Sequence, residues 1–386
     1  MISKKERDMI SGQWVGNFNG AGEGWGIINI EAKDGLLHCY AYLLNMKGDL
    51  PSSCSYFTLE DGQAEYKVEN RPVQVINKHD FMVVPSFSTQ DYITENFPGV
   101  VFPDTANLNI IFKEDELLVN VVTDIGTTVE CKLSRQHVKG YKLTGTGLTW
   151  NEFKEYVSQV DYRKVAFRGQ ADSWPLRTSF HRNGRYDVQV YSNKDIPMLH
   201  RQLSNLTSHY FNLKDPEHNG AFFNLLQHHG YPTPLLDWSY SPYVASFFAF
   251  GKLNAKDIFE SDKDRKVRIY LLEVEKWKVD FLQFYNIYDC RTHLSIGEYI
   301  SLGNNRAMPQ QALTTLTNIY DIEGYLYQWG GYTDKYLKAF DISVQEAPQV
   351  MRDLTMMGIT YGSLFPGLDG TCQDLKKINF PETKFG

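Results

Sequence analysis

No stretch of this 386-residue chain approaches the ~18 consecutive apolar residues that a membrane helix needs. Its opening, Met1-Ile2-Ser3-Lys4-Lys5-Glu6-Arg7-Asp8, lacks an apolar signal core. Cysteine is sparse. Cys39, Cys54, Cys131, Cys290 and Cys372 are odd in number, widely spaced and form no Cys-x-x-Cys pair. That pattern speaks against a disulfide framework or a structural zinc site and fits reduced thiols. A soluble cytoplasmic protein with no membrane contact and no metal is therefore expected. No Gly-x-Ser-x-Gly turn occurs, which disfavours a Ser-His-Asp hydrolase. Both common glycine-rich phosphate loops are missing as well. There is no repeat, heptad run or low-complexity tract. The net charge of −7 argues against a surface that coats nucleic acid, while leaving room for a local basic groove.

What the chain does have is core material. Hydrophobic residues make up 42% and aromatics 14%, so a folded chain is expected rather than a disordered one. Its length suits two domains or one large one. Residues 1–140 pattern almost wholly as strands. Segments 25–31 and 36–44 flank Asp34-Gly35, a dipeptide that readily takes the positive φ of a hairpin turn. Segments 55–59 and 64–68 flank Asp61-Gly62 in the same way. Segments 108–112, 117–122 and 127–133 predict a meander, with turns at Lys113-Glu114-Asp115 and Asp124-Ile125-Gly126. Alternation in Val119-Asn120-Val121 and Glu130-Cys131-Lys132-Leu133 predicts one wet face and one core face. The expectation is an antiparallel β barrel or sandwich with Trp14, Tyr40, Tyr42 and Phe57 in or near its core. This unit offers no cluster of acid, base and nucleophile, so a recognition or regulatory role is expected of it.

Residues 141–148, with Gly140, Gly145 and Gly147 nearby, read as a linker. Thr149-Trp150-Asn151-Glu152 then has the spacing of a capping box, opening an amphipathic helix. Segment 164–167 reads as a strand that delivers Arg168. Asp215-Pro216 opens another helix, on which Phe222, Leu225, Leu226 and His229 share one face by spacing. Gly230 is placed to end it in a left-handed conformation. Ser241-Pro242 opens the next helix, and residues 265–273 alternate as a strand. The expected second unit, residues 145–386, is mixed α+β, so the whole chain is α+β.

The densest segment is Gln227-His228-His229-Gly230-Tyr231-Pro232-Thr233-Pro234-Leu235-Leu236-Asp237-Trp238-Ser239. Packing alone rarely asks for such a mixture, because each buried polar group needs a partner. Upstream lies Phe167-Arg168-Gly169-Gln170. Together these segments resemble the FRG domain, a bacterial module named for its Phe-Arg-Gly tripeptide. Trp174-Pro175-Leu176, Phe180-His181-Arg182, Ser241-Pro242-Tyr243, Asn305-Arg306 and Gln310-Gln311 are similar to further family elements, and the resemblance spans roughly residues 145–380. Pro234 stands where the family has Arg, and Ala312-Leu313 replaces a Gly-x-Phe ending. The family's element order implies a fold-level similarity to ADP-ribosyltransferases, an analogy of fold only.

That resemblance implies NAD as a substrate and a toxin or anti-phage effector that consumes it, acting on a protein or nucleic-acid acceptor the sequence does not name. Arg168 is the candidate for gripping the pyrophosphate, because its planar fork meets phosphate oxygens in pairs. Gly169 and Gln170 accompany it. A structural ion pair between Arg168 and Asp237 is the competing reading. Thr233, Asp237 and Ser239 are candidates for the ribose hydroxyls, with Trp238 or Tyr231 as a stacking surface. Asp237 could equally cap a turn. His228 and His229 are candidates for acid–base work, with His229 also read as a core histidine. Gln310 matches the family's Gln and would hold the nicotinamide ribose. An amide cannot take a proton, which leaves Asp237 or Glu298 as the base. The alternative is a non-catalytic module that binds a nucleotide or a partner through the same cleft.

Overall fold

The computed structural model describes residues 10–60, 63–207, 209–259, 262, 264–284, 287–301 and 304–380. Its first sheet has nine antiparallel strands: β1 (Gly12–Gly20), β2 (Gly24–Lys33), β3 (Leu36–Asn45), β4 (Ser52–Glu60), β5 (Glu65–Pro72), β6 (Gln74–Ile76), β7 (Thr105–Lys113), β8 (Glu116–Thr123) and β9 (Thr128–Ser134). Their order is β5-β7-β8-β9-β1-β2-β3-β4-β6. The two ends of that order are neighbours in sequence, so the sheet curls into a nearly closed barrel. The β2–β3 hairpin forms as expected, with Asp34 and Gly35 at φ 52° and 81°. The second expected hairpin does not. β4 pairs with β6 and β5 with β7, because closing the barrel gives both strands better partners than each other. Asp61-Gly62 itself lies outside the described residues. The helix Thr89–Asn96, polar along most of its length, escaped the sequence patterning.

Inside the barrel, Trp14, Ile30, Leu37, Phe57, Leu59 and Leu117 are buried together. The outer face of β1–β4 carries a second apolar set, Val15, Ile27, Tyr42 and Cys54, which packs with Cys290 of the following unit. Polar contacts flank it. Glu31 accepts from the amides of Tyr186 at 2.7 Å and Asp187 at 3.0 Å and pairs with Arg185 at 2.8 Å. Buried Asp187 accepts in turn from Tyr42 at 2.7 Å and Asn29 at 3.0 Å.

The second sheet has seven strands: β10 (Thr146–Gly147), β11 (Ala166–Gln170), β12 (Leu235–Ser239), β13 (Lys266–Leu272), β14 (Leu294–Gly297), β15 (Ala312–Thr317) and β16 (Leu337–Ser343). Their order is β10-β16-β13-β11-β12-β15-β14. Part of the expected linker is therefore a short edge strand, with Thr146 beside Phe340. One face packs the helices Trp150–Ser158, Pro242–Phe250 and Ala347–Met356 against Phe167, Ile269 and Phe340. The other packs Val274–Asp280 and Ile322–Trp329 against Trp238 and Tyr270. The helix starts follow their caps. Thr149 and Glu152 close a reciprocal capping box, Asp215 accepts from Glu217 and His218, and Ser241 accepts from Val244.

Candidate functional site

β11 and β12 are central neighbours in the second sheet, each delivering a polar side chain to the same place. Beside them opens a cleft of about 710 Å³. Arg168, Gly169, Gln170, Asp237, Trp238, Ser239 and Gln310 all line it, although they are spread over more than a hundred residues of sequence. Thr233 and His229 do not.

Arg168 does not pair with the Asp237 carboxylate. Its Nη1 donates to the Asp237 main-chain oxygen at 2.6 Å, and its buried Nε has no partner. Enclosure by the cleft walls lowers the Arg168 pKa, with the Asp237 charge opposing. The Asp237 side chain is solvent-accessible and lines the concavity. Desolvation there pushes its carboxyl above the usual range, against the pull of Arg168, the Gln227 hydrogen bond and Arg182. Gln227 donates to Asp237 and accepts from the hydroxyl of Thr233. Thr233 is fully buried, so it acts on the cleft only through Gln227.

Four of the candidates sit differently from expectation. Trp238 borders the cleft but is only 3% exposed, its indole donates to Thr315 at 3.0 Å, and its ring belongs to the buried core. The two-residue period of β12 sends Asp237 and Trp238 to opposite faces. The most exposed ring among the described residues lining the cleft is Trp174, 58% exposed. Its main-chain oxygen is held by Gln170 at 2.6 Å and Tyr270 at 2.7 Å. His229 is exposed where the helix Pro216–His228 ends and is not a core residue, while half-buried His228 lines the cleft. Burial, then Arg306 and His229, lower the His228 pKa. Glu298 is engaged outside the cleft, with Lys278 at 2.7 Å and Tyr240 at 3.0 Å. Tyr231 packs against a neighbouring apolar cluster and does not line the cleft.

Three candidates have structural partners of their own. Gly169 carries β11 so close to the helix Pro242–Phe250 that a Cβ would overlap the Ala245 carbonyl oxygen. Ser239, 4% exposed, donates to the main-chain oxygen of Gln310 at 2.7 Å and ties β12 to that loop. The Gln310 amide donates to the Leu364 carbonyl at 2.9 Å.

Sequence reasoning reached Arg182 as local positive charge near Arg168 but missed Lys252 and Arg306. Arg182, Lys252 and Arg306 line the cleft with Arg168, and none of the four pairs with a carboxylate among the described residues. Arg265 pairs with Asp257 at 2.6 Å. Asp237 is thus the one lining carboxylate without a cationic side chain bonded to it among the described residues. Arg306 rests over the Phe365 ring at 5.1 Å. No His/Cys/Asp/Glu cluster among the described residues could hold a metal ion. The arrangement suits an anion with a planar, stackable part.

Among curated proteins, none matches the chain. A solved redesigned beta barrel is similar at 10% identity, covering 34% of this chain and 95% of its own, with a TM-score of 0.23 that carries no argument. The sequence model of the FRG domain matches residues 163–258, a narrower span than the motifs suggested and one that stops short of Gln310. Within that span lie Phe167-Arg168-Gly169-Gln170 and the whole 227–239 segment, so the chain carries an FRG domain.

Proposed function

We propose that the cleft binds NAD or a related dinucleotide and that the chain is an NAD-consuming, ADP-ribosyltransferase-like effector, with its β barrel as a recognition or regulatory unit. The observation that carries this reading is the set of cations that line the cleft with no carboxylate partner among the described residues, gathered near Asp237. Arg168 and Arg306, with Arg182 and Lys252 near them, would meet the pyrophosphate, and Trp174 would stack a base or nicotinamide ring. When nicotinamide leaves, positive charge develops on the ribosyl C1′, and Asp237 beside it would stabilise that charge. A nucleophile adding at C1′ must lose a proton. Asp237, with its raised affinity for protons, is the group able to take it, since Gln310 is not. A toxin or anti-phage role would follow from depleting NAD or modifying an acceptor.

The second reading is a non-catalytic binder. It is favoured by the commitment of Gln310 to Leu364 and by the scarcity of acid–base groups other than Asp237 and His228. Incubation with NAD, following free nicotinamide, separates the two. Release that disappears in Asp237→Asn supports the enzyme. Calorimetric binding of NAD without release supports the binder, and neither binding nor release rejects both.

A further inference from the structure

The barrel is packed in one half and hollow in the other. Its inward positions follow from the ladders. Trp14 and Gly16 of β1 face Ile28 and Gly26 of β2, which face Ala41 and Leu43 of β3, which face Ser55 and Ser53 of β4. Toward one end these positions hold Trp14, Phe57, Leu37 and Leu59, and the interior is full. Toward the other they hold Gly26, Ala41, Ser53, Ser55 and Ala106, too small to meet across the lumen. A cavity of about 160 Å³ results. Ala41, Leu43, Ser53 and Val121 point inward yet stay partly accessible. The mouth is rimmed by exposed Val101 and Ile125.

No described residue lining this space is charged. Three of its hydroxyls are already bonded: Ser55 donates to the Pro72 carbonyl at 2.8 Å, and those of Thr123 and Thr127 bond to each other at 2.6 Å. The lining is mostly apolar, while a buried water needs two to four polar partners and a dry apolar cavity of ~150 Å³ takes a benzene-sized guest. Closed sheets of about this strand number commonly enclose one small ligand.

We propose that the open half of the barrel is a binding site for an uncharged apolar small molecule, the size of a substituted benzene or a short alkyl chain. It is separate from the dinucleotide cleft and does not depend on that assignment. The experiment titrates the full chain with n-butylbenzene, and with 4-butylbenzoate as a charged counterpart, by calorimetry and thermal melting. Saturable heat and a rise in Tm with the neutral probe, and at least tenfold weaker binding of the anion, are expected. Ala41→Leu and Ser53→Leu should fill the space and abolish binding with Tm unchanged or raised. Methyl NMR of the parent protein gives a test that needs no variant, with Ile28 and Val121 shifting on titration. Absence of binding, undiminished binding in both variants, or shifts confined to the second sheet would overturn the proposal.

Discussion

Arg168 donates to the main-chain oxygen of Asp237, and the carboxylate of Asp237 is turned instead to Gln227. Two opposite charges thus share a cleft without cancelling in a bidentate pair. Each is partly desolvated, Arg168 with its pKa lowered and Asp237 with its pKa raised. Keeping both groups in that state costs stability, and a ligand carrying negative charge would relieve Arg168.

Arg168→Ala should weaken NAD binding by about ten- to a hundredfold, the ~1.5–3 kcal/mol of a charge-assisted hydrogen bond. Calorimetry on the folded variant measures it. An unchanged Kd would remove Arg168 from the site and leave it only as a clamp on β12.

Asp237→Asn should lower nicotinamide release while raising stability near neutral pH. The folded-state pKa of this acid is raised, so the native state binds more protons than the unfolded state between the ordinary carboxylate value and the raised one. Stability is therefore lost as pH rises through that window and recovered below it. The Tm advantage of the variant should be widest at about pH 7 and shrink toward about pH 4. A variant less stable than the parent at neutral pH contradicts the assignment.

Thr233→Val should act at a distance. Without the Thr233 hydroxyl, Gln227 loses its anchor, and Asp237 with it. Turnover should drop severalfold with a stability loss of about 1 kcal/mol. Thr233→Ser, which keeps the hydroxyl, should restore turnover. If serine rescues stability but not turnover, the relay has no part in positioning Asp237.

Gly169→Ala should destabilise the protein by about 1–3 kcal/mol, the usual range for forcing atoms into a packed contact. The added methyl would overlap the Ala245 carbonyl oxygen on the adjoining helix. Denaturant melts measure this directly. A fold unaffected by the methyl would instead point to a ligand-facing role for Gly169.

Periodicity and capping chemistry are local properties, and they were legible in the chain. The Asp34-Gly35 hairpin, the Thr149–Glu152 capping box and the Asp215 and Ser241 helix starts follow from neighbours within a few residues. The motif pair at 167–170 and 227–239 marked the segments that meet in the cleft. Pairing between distant strands is not local, and only the tertiary structure decided it. It gave β4 and β5 other partners than each other and drew residues 146–147 into a sheet. It turned Trp238 into the core while leaving Trp174 at the cleft. His229 fell just beyond the last turn of its helix, a displacement of one residue that spacing cannot resolve. The four cations without a carboxylate partner among the described residues, Arg168, Arg182, Lys252 and Arg306, come from four separate stretches of chain, and no linear pattern records that they gather. The hollow half of the barrel has the same origin, since small residues on separate strands leave a void only once the sheet has curled.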